Sequence, residues 1–192
     1  MRRFGPLLLL VLGAVLLSSC TLIPTSTKPV PIPSSQGLLG LLGRTIPGTN
    51  DGRVRFVTQP VYIVDATGHL APSSRIVTAP ATLTSVLDQL IVGPTKIEKF
   101  AGYASDLPSN LLVLQATVKG KIAYIDISES LVALGRAKEV LAIGQLVFTA
   151  YYAGATGGIE LSVAGTAKQL VLPDRKFVTL ATIKECKTLL EP

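Results

Sequence analysis

The chain has 192 residues and a formal charge of +6; 48% of its residues are hydrophobic and 16% are charged. Without an export signal about 170 residues would remain, enough for one domain with a true core and too few for two ordinary ones. The Lys and Arg residues are scattered singly, so no nucleic-acid partner is expected, whereas a mild basic excess favours an anionic membrane or wall polymer.

The N-terminus has the three-part grammar of a secretory signal. Arg2 and Arg3 are its positive start. Leu7 to Leu17 is an apolar run interrupted by Gly13, and Ser18 and Ser19 follow as small residues. The run is too short to span a bilayer core of about 30 Å, which needs roughly 20 residues. Leu17-Ser18-Ser19-Cys20 resembles the bacterial lipobox, the signal peptidase II motif. The resemblance implies a diacylglyceryl thioether on the Cys20 sulfur and cleavage between Ser19 and Cys20. Cysteine is required because its thiolate is the nucleophile that accepts the lipid. Residues 1–19 are therefore expected to leave. Their loss removes Arg2 and Arg3 and lowers the formal charge from +6 to +4.

Residues 20–52 read as a tether. Pro24, Pro29, Pro31 and Pro33 lie in a Ser- and Thr-rich stretch that favours extended polyproline II. Gly37 to Gly43 reads GLLGLLG; lying on the membrane and packing on the domain both remain open for it. As a flexible coil the tether would hold a domain roughly 30 Å from the anchor.

The domain is expected over 53–192. Val54–Val57 and Val61–Val64 are β-branched runs, and Pro60 between them points to an edge position or a bulge. Ala66-Thr67-Gly68 turns the chain into a second extended piece from His69 to Val77, making a hairpin. Thr82 or Thr84 can cap a helix whose Leu83, Val86, Leu87 and Leu90 line one face, and Gly93-Pro94 ends it. Lys96 to Asn110 reads as a polar connection. Leu111–Val118 and Lys121–Ile127 form a hairpin around Lys119-Gly120. A longer helix follows from about Arg136 to Ala153, with an inner stripe of Ala137, Val140, Leu141, Gly144, Val147, Phe148 and Tyr151. Gly144 would let it pack closely. Ile159–Val163 and Gln169–Leu172 are the last strands, and Thr182 with Glu185 fits a capping box for a short C-terminal helix. The order ββ-α-ββ-α-ββ-α predicts an α+β domain with a mostly antiparallel sheet and two main helices on one face.

Four pieces in this order resemble the GerMN domain, first named from sporulation and spore-germination proteins. They are Val61-Tyr62-Ile63-Val64 running to His69-Leu70-Ala71-Pro72 and Arg75; Leu87-Asp88-Gln89-Leu90 with Gly93-Pro94; Val118 through Gly120 to Ala123-Tyr124-Ile125-Asp126-Ile127-Ser128; and Gln145-Leu146-Val147-Phe148-Thr149 before Val163-Ala164-Gly165. The resemblance covers roughly residues 54 to 190. It implies a non-enzymatic assembly or sensing module on a Gram-positive lipoprotein, with a sensor or assembly complex as envelope partner.

No catalytic constellation is legible. His69 is the one histidine and sits in a turn, so a Ser-His-Asp arrangement would have to use it. No cofactor is expected, and no metal site, because clustered Cys, His and carboxylate ligands are missing. Asp126 reads as a strand-end residue capping the following turn. Cys186 reads as a half-buried helix thiol without chemistry. Gln145 and Thr149 fall one turn apart; with Arg75 they are candidates for a polar groove that takes a peptide or glycan. A helix-to-sheet hydrogen bond is the preferred reading of the Gln145–Thr149 pair. The sequence thus describes a lipid-anchored, extracytoplasmic binding or scaffolding protein acting through protein contacts. Its alternative is a lipoprotein that captures a peptide or peptidoglycan fragment. Cys20→Ala should abolish lipidation and leave the precursor uncut, read by metabolic fatty-acid labelling and a mobility shift; processing at the unchanged bond would contradict the lipobox.

Overall fold

The computed structural model describes residues 54–190; the signal, the lipobox and the tether lie outside the described residues. The fold is α+β. Strand β1 (Phe56–Val64) pairs antiparallel with β2 (Leu70–Thr78) as a separate two-stranded sheet. Helix α1 (Leu83–Val92) and the short α2 (Lys96–Phe100) follow. Then come β3 (Val113–Lys119), β4 (Ile122–Ile127), a 3-10 turn (Glu129–Ala133) and the long helix α3 (Arg136–Tyr152). Strands β5 (Gly158–Val163), β6 (Thr166–Lys168), β7 (Leu170–Val171), β8 (Phe177–Val178) and β9 (Leu180–Ala181) lead to α4 (Ile183–Cys186) and a last 3-10 turn (Lys187–Leu189). The larger sheet runs β3-β4-β5-β6, with β9 also on β5.

One pairing departs from the expected antiparallel pattern. Strands β4 and β5 are parallel, Ile122 to Ile127 against Gly158 to Val163. Helix α3 is the crossover: 17 residues at 1.5 Å each carry the chain about 25 Å back to the end where β4 began. The sheet is therefore mixed. Lys96–Phe100 is a helical turn inside the stretch read as a polar connection. Thr95 Oγ1 accepts the Glu98 N–H at 3.2 Å, and the Glu98 carboxylate accepts the Thr95 N–H at 2.6 Å. Five residues are too few to show a helical period, but the T-x-x-E capping box was readable. Helix α1 matches its expected face, with Leu83, Val86, Leu87 and Leu90 buried and Gly93 as its C-cap.

Helix α3 is not striped as expected. Every residue from Ala142 to Ala150 is buried, whereas Ala137 is exposed. A helix apolar all round belongs inside a protein rather than on one face of a sheet. Here it packs against β1, β2, α1, β5, β7 and α4. Gly144 permits a close approach to β2 and to the last 3-10 turn. A Cβ there would stand 2.8 Å from Leu70 Cδ1 of β2 and 2.5 Å from Leu189 Cδ1 near the C-terminus. The second half of β1 is likewise covered on both faces, so Val61-Tyr62-Ile63-Val64 is buried without alternation, while the start of β1 and alternate residues of β2 stay exposed. Tyr62 stacks on Tyr152 of α3 with ring centroids 5.4 Å apart and tilts against Phe148 at 5.1 Å. Arg75, on the opposite face, reaches the Gly93 carbonyl at the end of α1.

The other strand expectations shift locally. The run Val54–Val57 enters the strand only at Phe56, and Phe56–Val64 is one continuous strand through Pro60 with no bulge; β1 pairs with one strand only, so Pro60 has the edge position. Gln169–Leu172 is not the partner of β5; Thr166–Lys168 takes that place across the turn at Ala164-Gly165, and Leu170–Val171 pairs with Phe177–Val178. Cys186 is fully buried rather than half-buried, and burial pushes its thiol up to about 12.

Candidate functional site

The polar residues singled out in the sequence are brought into the interior by β1. A strand paired on one side leaves alternate peptide groups pointing the other way. In β1 these belong to Pro60, Tyr62 and Val64. Pro60 has no N–H to satisfy, which is why a strand interior tolerates it. The Tyr62 N–H donates to Thr149 Oγ1 at 3.0 Å, and its carbonyl accepts from Gln145 Nε2 at 3.0 Å. Val64 exchanges two backbone bonds with Ala104, at 2.9 and 2.7 Å. Gln145 Oε1 accepts the Asp106 N–H at 2.9 Å, so one amide side chain ties β1 and the 104–106 loop to α3. Across the hairpin Tyr62 faces Pro72, whose missing N–H costs the ladder nothing because this pair is not hydrogen-bonded.

Gln145 and Thr149 are both completely buried. They make the helix-to-sheet bonds, and their polar atoms face β1 and the 105–106 segment. Arg75 belongs to a different cluster. Its Nη1 and Nη2 donate to Glu98 Oε1 and Oε2 at 3.0 and 2.9 Å, a bidentate fork, and Nη2 also donates to the Gly93 carbonyl at 3.1 Å. Ser73 donates its hydroxyl to the same carboxylate. Burial opposes the charged form of Glu98, but these donors outweigh it and hold the carboxyl at about 2, well below its ordinary 4.5. Glu98 is a structural partner of Arg75 that the sequence reading missed; only the tertiary fold sets it opposite Arg75.

His69 lies in the β1–β2 turn. The Thr67 hydroxyl gives its proton to Asp65 Oδ1 at 2.7 Å and meets His69 Nδ1 at 2.8 Å. The hydroxyl proton is committed to the carboxylate, so the imidazole meets the oxygen rather than taking its proton. Asp65 also accepts the N–H groups of Thr67 and His69, at 2.8 and 3.0 Å, which closes the turn. Asp126 does not cap the turn after its own strand. It accepts the Gly165 N–H at 3.0 Å, across the parallel pair, and fixes the β5–β6 turn. No group of three or more His, Cys, Asp or Glu suited to a metal occurs among the described residues.

An open concavity lies at the end of the larger sheet, where β6 is the edge strand. It encloses about 820 Å³ and is bordered by Val132, Val163, Thr166, Ala167, Lys168 and Phe177. Val132 and Phe177 stand mostly exposed on its walls. The Arg136 guanidinium lies 5.6 Å from the Phe177 ring centre, and Lys168 pairs with Glu139 at 2.8 Å.

These features define an α+β module whose buried polar side chains bind its own layers together and whose open surface is an edge-strand cleft. Residues 60–169 match the family described as Germane: Sporulation and spore germination, and the chain belongs to that family. Its fold is similar to the tandem GerMN domains of the sporulation protein GerM from Bacillus subtilis, with TM-score 0.54, 14% identity, and coverage of 68% of this chain and 47% of that one. It is also similar to the first GerMN domain of the same protein, with TM-score 0.52, 15% identity, and coverage of 67% and 98%. The chain thus spans about half the tandem structure, 47%, and nearly all of a single domain, 98%. No curated protein matches it by sequence.

Two outcomes follow from the buried bonds. Thr149→Val should leave the Tyr62 N–H unpaired and cost about 1–3 kcal/mol in urea unfolding, and Gln145→Leu, which orphans two groups, should cost more. Stability from Glu98 is fully present above pH 4.5 and lost as pH falls toward about 2. Glu98→Gln should therefore destabilise at neutral pH, and its difference from the wild type should shrink through that window.

Proposed function

We propose that the protein is a membrane-anchored extracytoplasmic lipoprotein whose GerMN-type domain binds an envelope protein at the β6 cleft. The observation that carries the reading is the pairing of an edge strand with two exposed apolar walls, Val132 and Phe177, on one open concavity. Edge strands offer unpaired backbone groups to an added peptide segment, and flanking apolar walls accept its side chains. The interior polar clusters point the same way, because Arg75, Gln145 and Thr149 are engaged in holding the fold. Cys20 in its lipobox supplies the anchor, and among the described residues no helix is long and apolar enough to cross a membrane. Membership of a sporulation and germination family supports an envelope partner from those processes, and the class we propose is a sensor or an assembly complex.

A photo-crosslinking residue at position 177 of the intact lipoprotein, in membranes, should capture one defined protein, and Val132→Glu should abolish the capture. Recovery of nothing where the protein is abundant would sink the reading. Binding to purified wall that soluble fragments displace would instead favour the alternative, capture of a peptidoglycan fragment or peptide.

A further inference from the structure

Helix α2 turns an unusual face outward. Its sequence is Lys96-Ile97-Glu98-Lys99-Phe100. Ile97 is 82% exposed and Phe100 is 96% exposed, and they lie three residues apart, on neighbouring positions of one helical surface. No residue of α2 is buried, so the helix contributes nothing apolar to the core. Lys96 and Lys99 are exposed and flank the apolar pair on one side of the helix. Glu98 is the one acidic residue of the helix, and its carboxylate is turned inward onto Arg75, Ser73 and the Thr95 N–H. The outward surface of α2 therefore carries two ammonium groups and two bare hydrophobes with no carboxylate among them. Val92, at the end of α1, extends the surface; it is exposed and borders a hollow of about 350 Å³ together with Lys99. Asp88, one turn earlier on α1, is exposed and marks the acidic limit of the patch.

This chemistry selects an occupant. A second copy meeting the same face about a two-fold axis would bring Lys96 and Lys99 toward their own symmetry mates, with no acid to answer them. A bilayer bearing anionic headgroups answers both halves of the pattern. Apolar side chains enter the headgroup–acyl boundary, and lysines reach outward along their stems to the phosphates. We propose that the α2 face is a membrane-docking surface. Ile97 and Phe100 insert at the interface, Lys96 and Lys99 contact anionic lipid, and the tethered domain lies against the membrane. The inference rests on the lipid-anchor reading, because a chain held roughly 30 Å from the bilayer meets it at a high effective concentration. Two hydrophobes and two cations bind an anionic vesicle measurably by themselves, and tethering raises the occupancy of that contact.

The test uses the mature chain from residue 20 with Cys20→Ser, so that no acyl group contributes. Phe100→Cys carries an environment-sensitive fluorophore; Cys186 is buried and stays unlabelled in the folded protein. The vesicles are phosphatidylcholine with and without phosphatidylglycerol. On the anionic vesicles the label at 100 should shift to the blue and brighten, while the same label at the exposed loop position Thr156→Cys should not. Lys96→Glu with Lys99→Glu should weaken vesicle binding about tenfold or more. Equal responses at 100 and 156, or no response at 100, would overturn the docking surface. A shift that grows with protein concentration in the absence of vesicles would also overturn it, since a second copy would then cover the face. Failure of Cys20 lipidation in cells would remove the anchor reading while leaving this vesicle result standing, so the two failures are distinguishable.

Discussion

Two hydrogen bonds to the peptide of Tyr62 hold the rest of the structure in place. Thr149 accepts its N–H and Gln145 donates to its carbonyl, both from the buried centre of α3. A sheet edge in a dry interior must find partners for its peptide groups, and each orphan there costs about 1–3 kcal/mol. The chain satisfies this edge with side chains of a helix instead of another strand. That choice keeps the hairpin out of the larger sheet. It also locks the rotation of α3, because the residues one turn apart must both point at the two peptide groups that flank Tyr62. The other faces of α3 are then committed to α1, the larger sheet and the C-terminal segment.

The same economy disposes of the remaining interior polar groups. Arg75 and Glu98 form a bidentate pair between the hairpin and α2. Removing one member of such a pair leaves an uncompensated charge, which makes the pair a strict constraint on geometry even where its net stabilisation is small. Because Glu98 must face Arg75, the register of α2 is fixed, and Ile97 and Phe100 have nowhere to go except outward. An internal ion pair thus determines what the surface displays. The cleft beside β6 arises similarly at a place where the larger sheet runs out of strands, bordered by residues from the 3-10 turn and the β7–β8 hairpin.

Much of this was open to inspection in the amino-acid order, for local reasons. The period of Leu83, Val86, Leu87 and Leu90, the glycine between β3 and β4, and the capping box at Thr182 each act within a few residues. They specified the elements and the α+β class, and the four GerMN-like pieces specified the family. What went astray was non-local. The stripe assigned to α3 assumed one covered face, and a helix covered all round shows no stripe. Asp126 was assigned to its own turn, but it serves a turn 39 residues later, reached only through the parallel pairing of β4 with β5.

By itself the sequence determined the order of strands and helices and the pairing of Gln145 with Thr149 one helical turn apart, and it carries the lipobox-like pattern at Cys20 on which the anchor proposal rests. These depend on side-chain period, capping and turn chemistry, which operate at short range. Tertiary structure alone decided which peptide that pair would bind, that Arg75 would meet Glu98, and that α2 would present its hydrophobes to the outside. Each of those depends on which distant segment arrives at the same place, and no local pattern encodes that meeting.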